Sequence, residues 1–291
     1  MGAWSSTATT LKPEFKYTHD RLGAKILTYK QLPSPPHSDK IEISICVPLY
    51  NRGKIIEKSL LSILNQNFPK QNYEVIFVDD ASRDNTWEVL KGIFERYPQF
   101  NMRAYFRTES TTFNDAAPFN MAFRLAKGWI LVLNQIDIMH RGEVLEAIWR
   151  HHNYYSNLFL CPLHLCETPD GKLVEWGRQF IPHEFGSSVR REWATQVKGR
   201  NETILRHPVD VEFHWRLNKA GVVFGEDHTI ATIHRHDAHG PETWDRSYHL
   251  HPNVPPYNPN WNPQEWEWGK YWEIQPESVI MTKAMEKTLE H

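Results

Sequence analysis

Between residues 43 and 86 the chain reads I-S-I-C-V-P-L-Y-N-R-G-K, then an amphipathic run, then Y-E-V-I-F-V-D-D-A-S-R-D-N-T. Two short apolar runs, each ending abruptly in polar residues, flank about twenty residues with helical spacing. That pattern specifies a β-α-β unit with parallel strands. In open α/β sheets ligands bind outside the carboxyl ends of the strands. Here those ends carry Pro48, Tyr50, Asn51 and Arg52 on one strand and Asp79 and Asp80 on the other.

The same reasoning extends along the chain. Strands are expected over residues 41–47, 74–78, 102–106, 129–133 and 158–162. Helices are expected over 55–65, 87–96, 114–127, 143–154, 209–220 and 277–287. Ile56, Leu60, Ile63 and Leu64 share one face of the first helix, and Phe119, Ala122, Phe123 and Ala126 are spaced for burial on the third. Asp84 and Thr86 are placed to cap the second. The run at 129–133 is almost wholly apolar, as suits a buried central strand.

The chain has 291 residues, enough for a full core, with 40% hydrophobic and 23% charged residues, an ordinary globular composition. A net charge of −2 gives no reason to expect nucleic-acid binding or attraction to anionic lipid. No run reaches the roughly 18 apolar residues of a membrane span, and the first forty residues lack the apolar core of a signal peptide. The cysteines number three, with Cys46 inside the first strand, so a reduced, cytoplasmic setting is expected. Residues 1–40 end in L-P-S-P-P-H-S-D and read as an arm or linker. Residues 289–291 have the look of a vector-encoded tag remnant.

V-P-L-Y-N-R and V-D-D-A-S, with a helix between them, resemble the opening of family 2 glycosyltransferases of the GT-A fold. The resemblance is strong from Ile43 to about His140 and patchier to His236; before Lys40 and after about Gly240 there is none. It implies the GT-A (nucleotide-diphospho-sugar transferase) fold, a mostly parallel central sheet flanked by helices. The catalytic domain would occupy residues 41–240, with an aromatic-rich extension, 241–288, packed on it. It implies that Asp79 contacts the nucleobase, that Pro48, Tyr50, Asn51, Arg52 and Asp80 shape the same pocket, and that Arg52 faces the diphosphate. The competing reading of the aspartates is a simple turn and helix cap.

GT-A transferases usually close their central strand with D-x-D, which holds Mn²⁺ or Mg²⁺ against the donor diphosphate. This chain offers N-Q-I-D instead. Asp137 is the expected metal contact, helped by an amide oxygen of Asn134 or Gln135, and a metal-independent variant stays open. A late histidine, His234 or His236, would complete the site. V-D-V-E-F-H-W-R-L resembles the family's E-D-V-E-F-x-x-R-L helix start, in which the aspartate is the general base. Asp210 matches that base, Glu212 is the runner-up, and Glu202 matches an upstream acid near acceptor or donor sugar. The segment Cys161-Pro-Leu-His164-Leu-Cys166 lacks the paired spacing of a tetrahedral zinc site, so both cysteines are expected in the core. The aromatics between Trp244 and Trp272 suit packing or an acceptor platform.

The resemblance therefore implies inverting transfer of a sugar from a nucleotide-diphosphate donor, UDP-sugar by default, to a carbohydrate hydroxyl in polysaccharide assembly. The alternatives are a retaining GT-A transferase or a non-catalytic protein that binds sugar nucleotides or glycans. A dinucleotide-binding dehydrogenase is excluded, because no G-x-G-x-x-G follows the first strand.

Overall fold

The structure, a computed structural model, describes residues 27–107, 116–175, 183–202, 209–235 and 279–290. His236, the tract from 240 to 272, and the first two residues of each of the helices expected over 114–127 and 277–287 lie outside those residues.

Among the described residues ten strands form one sheet: β1 (Ile43–Leu49), β2 (Tyr73–Asp79), β3 (Met102–Phe106), β4 (Ile130–Leu133), β5 (Ile138–Arg141), β6 (Leu158–Glu167), β7 (Leu173–Glu175), β8 (Ser187–Arg190), β9 (Val223–His234) and β10 (Val279–Met281). The helices are α1 (Ile56–Leu64), α2 (Thr86–Arg96), α3 (Ala116–Leu125), α4 (Val144–Tyr154), α5 (Arg191–Gln196), α6 (Val209–Ala220) and α7 (Lys283–Leu289). The strand order is β10-β3-β2-β1-β4-β8-β6-β9-β5, with β7 paired to β6. Strands β3, β2, β1 and β4 run parallel, while β8, β10 and β5 run against their neighbours and β6 and β9 pair in parallel.

Strand β1 is apolar on both faces because both are covered. Ile43, Ile45 and Val47 pack with Ile56, Leu60 and Ile63 of α1, Leu90 and Ile93 of α2 and Trp149 of α4. Cys46 faces the opposite layer, with Phe119 and Phe123 of α3 and Phe213 and Leu217 of α6. Ser44, fully buried in this run, donates to Glu74 at 2.6 Å and accepts from the Gly128 amide at 2.9 Å; Glu74 in turn holds Arg103 at 2.8 Å. Gly128 has to be glycine, since a Cβ would lie 2.7 Å from the Ile43 carbonyl carbon and the Ser44 nitrogen.

Several expected boundaries move. β1 begins two residues later than expected and carries Pro48 inside the ladder, opposite Val78. β6 runs on to Glu167 because β9 pairs with it across a register shift at Pro162/Leu163. The C-terminal amphipathic helix is corrected: Val279–Met281 form β10, antiparallel to β3, and helix starts only at Lys283. Thr282 fixes that junction by bonding the Phe100 carbonyl at 2.5 Å. Near the other terminus, Leu32 is buried, the Tyr29 amide bonds Asp227 at 3.0 Å, and the His37 ring lies 4.0 Å from Trp149. No helix among the described residues is long and apolar enough to cross a membrane.

Candidate functional site

The loops after β1 and β2 interlock. The Asn51 amide donates to Ser82 Oγ at 2.8 Å, and Asn51 Oδ1 accepts from the Arg83 amide at 2.8 Å. The Arg52 amide donates to Thr86 Oγ1 at 2.8 Å and the Gly53 amide to Asp84 Oδ2 at 3.3 Å. Asp84, rather than Thr86, accepts the Thr86 amide at the start of α2, at 3.0 Å. Asn51 and Ala81 hold positive φ, 53° and 60°, which only a braced loop imposes on residues with a Cβ. The motif residues thus build one rigid wall; Asn51 and Ser82 are its pins, and the Tyr50 and Arg52 side chains are half-buried along it.

Asp79 closes β2 with 0% exposure. Its Oδ1 accepts the Ser82 amide at 2.8 Å, while Oδ2 has no hydrogen-bond partner among the described residues. Burial, with smaller contributions from Asp84 and Asp80, outweighs the Ser82 bonds and raises its pKa to about 6. An acceptor oxygen of this kind, buried at a strand end, is placed to take an N–H or O–H that none of the described residues supplies. Asp80 is differently used: it forms a buried ion pair with Arg107, whose amide bonds the Asp79 carbonyl at 2.8 Å.

Asn134 follows β4 and is fully buried. Its Nδ2 donates to the Gln135 carbonyl at 2.9 Å, and its Oδ1 lies 2.9 Å from His140 Nε2. Burial lowers the His140 pKa to about 4, so the ring is neutral and donates from Nε2 to that oxygen. The Asn134 amide oxygen is therefore engaged inside the protein. Gly186, at φ +78°, lets the backbone pass: a Cβ there would meet Thr232 Cγ2 at 2.7 Å and His140 Nε2 at 3.4 Å.

Asp137 is buried, with Oδ2 3.5 Å from His234 Nε2. Burial opposes the charged imidazolium of His234, but the bonds to Asp137 and Cys166 prevail and hold its pKa at about 9. His164 and Cys166 complete the group; the ligand atoms of His164, Cys166 and His234 lie within 4.8 Å of one another. Here the expectation of two core cysteines is corrected. Cys161 is fully buried, but Cys166 is half-buried at the end of β6. Spacing within the Cys161–Cys166 segment does not reveal the cluster, because its third member comes from β9. A hard cation such as Mg²⁺ or Mn²⁺ seeks oxygen ligands. Around the one carboxylate of Asp137 the described residues offer two imidazoles, His164 and His234, and the Cys166 thiol, a donor set that does not fit an oxygen-ligated site.

The acids of the second group separate. α6 leads through Gly221 into β9, which is parallel to β6. Because α6 ends where β9 begins, its N-terminus with Asp210 stands at the same sheet edge as the strand ends above. Glu212 lies two residues on, about 200° round the helix. It is buried and clamped by Arg216 at 2.5 and 2.7 Å, and Arg216 also bonds the Val197 carbonyl. Glu212 therefore ties α6 to the end of α5. Glu202 is buried and accepts from Asn120 Nδ2 at 2.7 Å. Arg200 Nη2 meets Glu184 at 2.9 Å, and His214, 3.6 Å from Glu184, has its pKa pushed down to about 3, chiefly by burial. Asn120, Glu184 and Arg200 carry no sequence signal of their own.

The architecture is that of GT-A glycosyltransferases. A sequence profile of Glycosyl transferase family 2 matches residues 44–212, and the chain belongs to that family. It is similar to a poly(ribitol-phosphate) beta-glucosyltransferase of Bacillus spizizenii, 36% identical over 115 residues, covering 39% of this chain and 17% of the relative. It is similar too to TarS, a poly(ribitol-phosphate) beta-N-acetylglucosaminyltransferase of Staphylococcus aureus, 30% identical over 122 residues, 41% of this chain and 20% of TarS. The match thus spans about a fifth of the length of these curated relatives. Among solved structures, a TarS fragment with UDP superposes with a TM-score of 0.57 at 18% identity, covering 67% of this chain and 60% of that one. The mannosyltransferase PcManGT of Pyrobaculum calidifontis, solved with GDP-Man and Mn²⁺, gives 0.56 at 19% identity, covering 70% and 61%.

Proposed function

We propose that the chain transfers a sugar from a UDP-sugar to a carbohydrate or polyol hydroxyl, with inversion at the anomeric carbon. The observation that carries this reading is Asp79, a buried carboxylate with an open acceptor oxygen at the end of β2. Largely ionised above pH 6, it accepts the ring N–H of uracil, and the wall pinned by Asn51 and Ser82 sets the base beside it. Arg52 supplies positive charge for the diphosphate. Relatives named for poly(ribitol-phosphate) and a neighbour holding UDP support both the donor base and an acceptor rich in hydroxyls.

Asp210 takes the proton of the acceptor hydroxyl. The freed oxygen pair forms the bond to the anomeric carbon as the bond from that carbon to the diphosphate breaks, and UDP leaves with the electron pair. Glu202, held by Asn120, lines the acceptor side. Residues 41–240 form the catalytic domain, with 241–288 as an extension of it.

Thermal stabilisation by UDP, GDP, CMP and TDP tests the donor site, and a ligand at a hundred times its Kd adds about 2.7 kcal/mol. Stabilisation by UDP above the others, followed by transfer from a UDP-sugar with inverted product, is expected. Equal indifference to all four nucleotides would remove the donor site. Nucleotide binding without turnover on any polyol or glycan acceptor would favour a binding protein.

A further inference from the structure

His164 and Cys166 sit two residues apart on β6, and His234 ends β9. The parallel register pairs Cys166 with His234 and His164 with Thr232. Side chains alternate along a strand, so His164, Cys166 and His234 share one face of the sheet. Their ligand atoms fall within 4.8 Å of one another, and Cys166 Sγ is 3.9 Å from His164 Nε2. Asp137 adds a carboxylate oxygen 3.5 Å from His234 Nε2. With metal–sulfur bonds near 2.3 Å and metal–nitrogen bonds near 2.0–2.1 Å, tetrahedral ligand atoms stand roughly 3.5 Å apart. The three ligand atoms stand wider than that, and Asp137 joins the group through His234, so binding would draw the four side chains inward.

We propose that His164, Cys166 and His234, completed by Asp137, form a site for a thiolate-seeking divalent transition metal such as Zn²⁺, in place of an oxygen-ligated Mg²⁺ or Mn²⁺ site. The ligand types carry the selectivity. Two imidazoles and a thiolate suit Zn²⁺ or Co²⁺, whereas Mg²⁺ requires oxygen ligands in near-octahedral geometry. Thr232 Oγ1, 3.4 Å from His164 Nδ1, orients that ring from behind, as outer partners of metal-bound histidines do. The replacement also accounts for N-Q-I-D: when sulfur and nitrogen ligands arrive from β6 and β9, one carboxylate from the segment after β4 suffices. A role at the donor diphosphate rests on the transferase reading; metal binding itself does not.

The test is titration of the chelator-treated full chain with Co²⁺ alone, followed by absorption. A thiolate-to-cobalt charge-transfer band saturating at one equivalent is expected. It should be lost in Cys166→Ser and displaced by Zn²⁺ at concentrations at least a hundredfold below those of Mg²⁺ or Mn²⁺. Absence of the band in the folded chain, its survival in Cys166→Ser, or equal displacement by Mg²⁺ would overturn the proposal. If Cys166→Ser does not fold, His164→Gln and His234→Gln should each weaken Co²⁺ binding tenfold or more, and unchanged binding in both refutes the site. UDP stabilisation measured in the same samples separates the two readings: a cobalt band without a UDP response leaves the metal site standing and removes the donor site, and the converse pattern does the reverse.

Discussion

Replacing Asp79 by asparagine sets the donor site against the stability of the sheet that carries it. Burial first, then the Asp84 and Asp80 charges, raise the Asp79 pKa from the ordinary 3.8 to about 6 against the Ser82 bonds. A carboxyl whose pKa is higher folded than unfolded binds its proton more tightly in the folded chain. The stability linked to it is fully present below pH 3.8 and is lost as pH rises through about 6. Above that pH the ionised group is a net cost, and at 1.36 kcal/mol per pH unit the interval from 3.8 to about 6 caps it at about 3 kcal/mol.

Asparagine removes the charge yet keeps an oxygen for the Ser82 amide. Asp79→Asn is therefore expected to stabilise the nucleotide-free protein by about 1–3 kcal/mol at about pH 7.5, roughly 2–6 °C in Tm. It should also weaken UDP binding by about ten- to a hundredfold, the worth of a hydrogen bond to a charged group. Urea denaturation at about pH 7.5 and about pH 4.5, with UDP thermal shifts alongside, measures both effects, and the stability gain should shrink at the lower pH. A loss of stability at the higher pH would refute the reasoning, as would a gain of equal size at both pH values.

Asp210→Asn should lower kcat by about 10²- to 10⁴-fold while leaving UDP stabilisation unchanged; activity within tenfold of the parent would point to a retaining mechanism instead. Glu212→Ala removes the carboxylate that pairs with buried Arg216 and should cost about 3–5 kcal/mol by chemical denaturation. The fraction that stays folded should keep its kcat, and a collapse of kcat at full stability would return Glu212 to the base role. Gly186→Ala forces a Cβ to 2.7 Å from Thr232 Cγ2 at φ +78° and should destabilise the fold by about 2 kcal/mol or more. A neutral result there would mean that the β8 approach to Asn134 and His140 is looser than the contact distances imply.

The half of the sheet built from β3, β2, β1 and β4 was legible because its strands are unbroken apolar runs with helical periods between them. The helix over Val209–Ala220 was legible for the same reason. In the other half only the start of β6, expected over 158–162, was legible. β9 carries Asp227 with 2% exposure at mid-strand, satisfied by His151 at 2.9 Å, the Thr229 amide at 2.9 Å and the Tyr29 amide from almost two hundred residues away. No alternation rule marks such a strand as buried. Val279–Met281 fits either period, so the sequence alone favours helix there, and only pairing with β3 makes it a strand. The candidate site divides the same way. Asp79 and the loop at residues 50–52 were visible because their chemistry lies within one β-α-β unit. The partnership of Cys166 with His234 was invisible, because it is a property of register between strands 68 residues apart. Spacing along the chain argued against a metal site at Cys166, yet spacing across the ladder assembles one from the same residue. In a GT-A sheet whose D-x-D has eroded to a single carboxylate, replacement ligands are best sought on the strands that flank that carboxylate in space, here β6 and β9.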